Sequence, residues 1–117
     1  MGGTFNLELH IDASQIKIAD YDLVTILGNV ADNVVEEVRF VEALDVYVSL
    51  ETTENELLIH IKNPIAREKK RKDLDHWFHG LGLQNVKEAV EMYGGISSFE
   101  VKQGYFETMI MIPNNEE

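Results

Sequence analysis

The stretch His79-Gly80-Leu81-Gly82-Leu83-Gln84-Asn85-Val86 sets two glycines at the entrance to an amphipathic helix. A helix start exposes unpaired N–H groups and carries partial positive charge. Glycines beside it let a phosphate approach the backbone with no Cβ in the way. The chemistry on offer is anion binding by backbone donors. A G-x-G alone also fits an ordinary turn, so a second element matters. Upstream lies Ile26-Leu27-Gly28-Asn29-Val30-Ala31-Asp32-Asn33, with two asparagines four apart. On a helix, Asn29, Asn33 and Glu36 stand beside one another, one turn apart.

These residues need elements to position them. Leu23, Ile26, Leu27, Val30, Val34, Val38 and Val41 are spaced as one buried stripe of a helix. Asp20 or Asp22 is placed to cap it. Phe5 to Ile11, Leu44 to Leu50 and Leu57 to Ile61 alternate apolar and polar residues, as half-buried strands do. Asn63-Pro64 ends the third of these, since proline donates nothing to a ladder. A second helix presents Leu83, Val86 and Val90, with Met92 or Tyr93, and Gly94-Gly95 terminates it. Ile96 to Val101 and Tyr105 to Ile112 flank Lys102-Gln103-Gly104 as a hairpin. The order β-α-β-β-loop-α-β-β predicts an α/β (α+β) two-layer sandwich, with helices on one face of a mixed sheet. Residues 1–117 read as one domain, with 1–4 as tag or linker, 65–79 as a loop and 114–117 as a frayed tail.

The formal charge is −11, and the chain has no cysteine. Such a chain repels nucleic acid and anionic membrane, so any anion must be bound locally. Disulfide frameworks and thiolate metal sites are excluded. Lack of cysteine, membrane-length apolar run and leader-like N-terminus give a cytoplasmic expectation, for a parent protein that could itself be membrane-anchored. Asp73, His76 and His79 fall three apart, but on a loop and without a fourth ligand, so no metal site is expected there. His10 and His60 read as ordinary strand-face residues.

The boxes ILGNVADN and HGLGLQNV, with Asn63-Pro64 between them, resemble the ATP-binding fold of the GHKL superfamily, the Bergerat type. The closest likeness is to sensor histidine kinases of the peptide quorum-sensing type. The resemblance runs from Phe5 to Pro113 and implies the following roles. Asn33 takes the place of the asparagine that holds Mg²⁺ on the ATP phosphates. Asn29 sits where hydrolytic members carry a glutamate base, which argues for phosphoryl transfer over water activation. Glu36 matches the acidic end of that box. Asn63 falls on the adenine-reading position, where an acceptor oxygen is needed. His79, Gly80, Leu81, Gly82 and Leu83 match the box lining the triphosphate, and residues 65–79 the ATP lid. Lys69-Lys70-Arg71-Lys72 is then either a solvated run or a cationic lid. Trp77-Phe78 anchors the lid, stacks on adenine or docks on another domain. Two departures from the family pattern are Pro64-Ile65-Ala66, where glycines usually follow, and Val34, where a small residue is usual.

The implied function is a histidine kinase catalytic domain. It would bind Mg·ATP, with Asn29 and Asn33 as catalytic residues, and pass the γ-phosphoryl group to a histidine on a separate helical dimerisation domain. A response regulator is the further implied partner, and this fragment is expected to be monomeric. The alternative is a GHKL-fold interaction module, anti-sigma-like or degenerate, without turnover.

Overall fold

The computed structural model describes residues 2–38, 43–65 and 81–114. The elements follow the order β1 (Gly2–His10), a short 3-10 turn (Ala13–Gln15), α1 (Asp20–Val38), β2 (Ala43–Thr52), β3 (Glu56–Pro64), α2 (Leu81–Met92), β4 (Ile96–Lys102) and β5 (Tyr105–Pro113). One five-stranded sheet has the order β1-β2-β3-β5-β4. β1 and β2 are parallel, and the other pairs are antiparallel. This is the expected mixed sheet of an α+β sandwich.

Alternation decides which side of the sheet is buried. Leu57, Ile59, Ile61 and Asn63 of β3 and Phe106, Thr108, Ile110 and Ile112 of β5 all face the helix layer and are buried. Ile26 and Val30 of α1 and Val86, Ala89 and Val90 of α2 close the core over them. α1 packs on α2 and β3, whereas α2 reaches β4 and β5.

β1 departs from the half-buried strand expected at Phe5 to Ile11. Its alternation is present, but Phe5, Leu7 and Leu9 are 66%, 52% and 54% exposed. The reason is position: β1 is an edge strand, beyond those on which the helices chiefly rest. Its parallel ladder with β2 runs from Gly2 opposite Ala43 to His10 opposite Glu51, so the strand begins three residues earlier than its apolar pattern.

The turns follow local chemistry. Gln103 and Gly104 both have positive φ, at 50° and 85°, which suits the tight β4–β5 hairpin. Gly94, at φ 75°, ends α2, and the Gly95 N–H returns to the Val90 carbonyl at 3.0 Å. The tail expected to fray from Asn114 is tied at that residue. The Asn114 backbone N–H donates to the Asn55 carbonyl at 2.7 Å, and its side chain to the Thr53 carbonyl at 3.0 Å. Among the described residues, no helix is long and apolar enough to cross a membrane.

Candidate nucleotide site

α1 begins at Asp20, so Asp20 and Asp22 occupy its first turn instead of capping it. Their charge still suits the positive helix end. Further along, the Asn29 Nδ2 donates to the Thr25 carbonyl at 2.8 Å. That bond fixes the amide and leaves Oδ1 turned toward α2. A Cβ built on Gly82 would lie 3.5 Å from Asn29 Oδ1. The two boxes, far apart in sequence, therefore meet in space.

α2 starts at Leu81, two residues before the expected start, so Gly82 lies in the first helical turn. Its N–H belongs to the group that an α-helix cannot satisfy internally. The first turn of α2 carries no acidic residue to compete for an anion. Leu83 turns inward and is 5% exposed. Asn33 is half-buried, one turn beyond Asn29 on the same side of α1. Val34 packs on the hydrophobic core, so its bulk is spent there.

Asn63 ends the buried row of β3 and is fully buried. Its Nδ2 donates to the Pro64 carbonyl at 3.1 Å. Its Oδ1 is buried with no hydrogen-bond partner. A buried acceptor left unpaired costs about 1–3 kcal/mol, so the site holds an unmet demand for a donor. Just beyond, the Ile65 N–H donates to the Gly104 carbonyl at 3.0 Å, which ties the strand exit to the β4–β5 turn.

Asn29, Asn33, Asn63 and Gly82 all lie on the helix side of the sheet. His79 and Gly80 lie outside the described residues. So do nearly all of the predicted lid, Asp73, His76, the basic run and Trp77-Phe78. Of Leu81 only its place at the head of α2 is described.

Sequence reasoning missed two features on the helix side of the sheet. Among the described residues, Thr108 on β5 is the second buried polar side chain, at 2% exposure. Its parity among Phe106, Ile110 and Ile112 was the available signal. The Tyr93 hydroxyl donates to Asp22 Oδ2, although both residues had been assigned other roles. On the opposite side of the sheet, His60 Nε2 lies 2.7 Å from Glu107 Oε2. The hydrogen bond from His60 holds the Glu107 carboxyl below the usual carboxylate range, against a small opposing effect of burial, with Lys102 and Lys62 adding to it.

A family model described as "GHKL domain" matches residues 18–113. No curated protein matches. Among solved structures, the nucleotide-free catalytic domain of histidine kinase ThkA superposes with a TM-score of 0.70 at 20% identity, covering 96% of this chain and 80% of that one. A second nucleotide-free form of the same domain gives 0.71 at 21% identity, covering 98% and 81%. The Acinetobacter baumannii histidine kinase AdeS gives 0.68 at 18% identity, covering 97% of this chain and 55% of that one. This chain thus spans about half of the AdeS chain it matches.

Proposed function

The chain belongs to the GHKL domain family, and on that premise we propose that it is the ATP-binding catalytic domain of a sensor histidine kinase. The observation that carries this proposal is the buried, unpartnered Oδ1 of Asn63. An exocyclic amino group, as on adenine, is the donor it lacks. Its own Nδ2 is engaged by the Pro64 carbonyl, so the free edge is an acceptor. Gly82 and Asn29 meeting beside the α2 N-terminus supports the rest, since that is where phosphates would be held.

The residues present suit Mg²⁺ as well. It prefers oxygen ligands and keeps several waters, so one amide oxygen from Asn33 beside phosphate oxygens is enough. When bound, Mg²⁺ neutralises phosphate charge. The protein's own part would be positioning: Asn63 would orient the base, the start of α2 would hold the phosphates, and Asn33 would be the residue to hold Mg²⁺. The transfer breaks the bond from the γ-phosphorus to the ADP oxygen and forms one to an imidazole nitrogen of the acceptor histidine. Asn29 is an amide and takes no proton from water at neutral pH, which favours this transfer over hydrolysis. The acceptor histidine would come from a helical domain of the parent chain, and the phosphoryl group would pass on to a response regulator. The wording of the two boxes favours a kinase of the peptide quorum-sensing type acting in the cytoplasm.

Calorimetric titration with ATP, with and without Mg²⁺, tests the proposal directly. Saturable binding strengthened by Mg²⁺ is expected, and Asn33→Ala should remove most of the Mg²⁺ effect. A folded Asn33→Ala protein that binds Mg·ATP as tightly as the parent contradicts the role given to Asn33. A second reading, an interaction module without turnover, draws on the exposed Phe5, Leu7 and Leu9 of β1. The two part on labelling of a supplied helical histidine domain by radioactive ATP, which only a kinase achieves.

A further inference from the structure

α1 and α2 run antiparallel. Asn29 stands by Gly82 at one end of the pair. At the other end the Tyr93 hydroxyl donates to Asp22 Oδ2 and accepts from the Ala19 N–H at 3.2 Å. Tyr93 is itself held in place. It is half-buried against the core, and the chain turns behind it through Gly94 and Gly95. That turn is pressed onto β5 so closely that a Cβ at Gly95 would lie 2.3 Å from the Met111 carbonyl oxygen. The hydroxyl is thus presented from the sheet side as a fixed point.

Asp22 shares a face of α1 with the site residues. At about 100° per residue, Asn29 and Asn33 each fall within about 20° of Asp22 around the helix axis. The packing face of α1 is aliphatic, with Ile26 and Val30 fully buried and Leu23, Leu27 and Val34 beside them. Aliphatic contacts are non-directional. They hold the helix down without fixing its rotation as a directed hydrogen bond does.

We propose that the Tyr93–Asp22 hydrogen bond is a positioning latch. It sets the rotation of α1 against α2 and so holds Asn29 and Asn33 toward the N-terminus of α2. The proposal deepens the nucleotide-site assignment above and rests on it. Tyr93 and Asp22 are positioning residues that act through Asn29 and Asn33. The Tyr93 proton is held firmly, because its bond to Asp22 pushes the phenol above its usual range, offset in part by the Ala19 N–H.

Two variants separate the bond from the side chains that make it. Tyr93→Phe keeps the ring and loses the donor, whereas Asp22→Asn keeps an acceptor oxygen. The first readout is NMR of the protein without ligand, following the Asn29 side-chain amide and the Gly82 backbone amide. Both resonances should move in Tyr93→Phe and stay near the parent positions in Asp22→Asn. The second readout is Mg·ATP affinity, expected to weaken about 10-fold in Tyr93→Phe, as loss of one hydrogen bond to a charged group allows. Asp22→Asn should restore it to within about 3-fold, as a neutral acceptor keeps about half of such a bond.

Resonances and affinity unchanged in Tyr93→Phe overturn the latch, since a bond with a merely structural role lowers stability and leaves both in place. Asp22→Asn losing as much as Tyr93→Phe overturns it too, because charge and not the bond would then be responsible. If Tyr93→Phe does not fold, Asp22→Ala cuts the same bond from the other side and is read in the same way. A parent protein that binds no Mg·ATP, with the resonances moving as stated, removes the nucleotide assignment and leaves the latch standing.

Discussion

The two faces of the sheet treat polar side chains in opposite ways. On the open face, neighbours across the strands answer one another. Tyr47 donates to Glu8 at 3.3 Å, and His60 lies 2.7 Å from Glu107. Lys102 reaches Glu100 at 3.3 Å, and Lys62 stands 5.0 Å from the centre of the Tyr105 ring. On the helix side the polar residues of β3 and β5 are Asn63 and Thr108, set among aliphatic neighbours, and Asn63 Oδ1 has no partner. The first face is open to water, whereas Asn63 and Thr108 on the second are buried. An unmet polar group on the open face is unremarked by folding, whereas the same group under the helices is a standing cost. Under the proposed function, that cost at the end of β3 is one a bound nucleotide would relieve by supplying the missing donor.

The comparison breaks most violently where the helix layer is bolted to the sheet. Gly95→Ala puts a Cβ 2.3 Å from the Met111 carbonyl oxygen and 2.9 Å from Val90 Cγ1. Neither a backbone oxygen nor a buried valine can give way cheaply, so a loss of about 3 kcal/mol or more is expected. Ser98→Ala, on the open side of β4, should change stability by less than about 0.5 kcal/mol. Urea unfolding of both variants checks the pair. Equal effects would mean that the helix layer is not seated as described.

The next test sharpens the contrast at Asn63. Removing a satisfied buried polar group costs about 1–3 kcal/mol, but Asn63 already lacks one partner. Asn63→Leu should therefore keep the unfolding free energy within about 1 kcal/mol of the parent. Mg·ATP affinity should fall at least about 10-fold in the same protein. Stability preserved while affinity is lost is the signature of an acceptor kept for a ligand. A stability loss with affinity intact would show the amide to be an ordinary structural group.

How much of this was legible in the sequence depends on the range over which each feature is specified. The order of elements, the glycine stop at Gly94-Gly95 and the burial of Leu57, Ile59 and Ile61 follow from period and turn chemistry, which are local. The apolar pattern of β1 was legible, but its exposure was not, because strand order decides which strand becomes an edge. The motif boxes marked Asn29 and Gly82, yet only the antiparallel helix pair brings them together. Asn63 was marked by its place in a motif, and its orphaned oxygen became visible only with the strand buried around it. Tyr93 and Asp22 lie 71 residues apart, so each was assigned a local role, one in the apolar stripe of α2 and the other as a helix cap. Thr108 was concealed by the same alternation that revealed its strand.

The smallest expected effect lies on the open face and depends on pH. The Glu107 carboxyl is held below its ordinary 4.5 by the hydrogen bond from His60, with Lys102 and Lys62 assisting. A carboxylate whose pKa is lower when folded stabilises the protein above its unfolded pKa. That contribution is lost as pH falls through the folded value. His60 and Glu107 are 31% and 22% exposed, so the contribution is small, under about 1 kcal/mol, and weakens with salt. Glu107→Gln should thus be slightly less stable than the parent at pH 7, and the difference should fade as pH falls below the ordinary 4.5 and through the lower folded value. Mg·ATP affinity at neutral pH should be the same in both, since the pair faces away from Asn63. A Glu107→Gln protein with weakened nucleotide binding would show that the two faces are coupled through β3 and β5, and the division of labour between them would have to be given up.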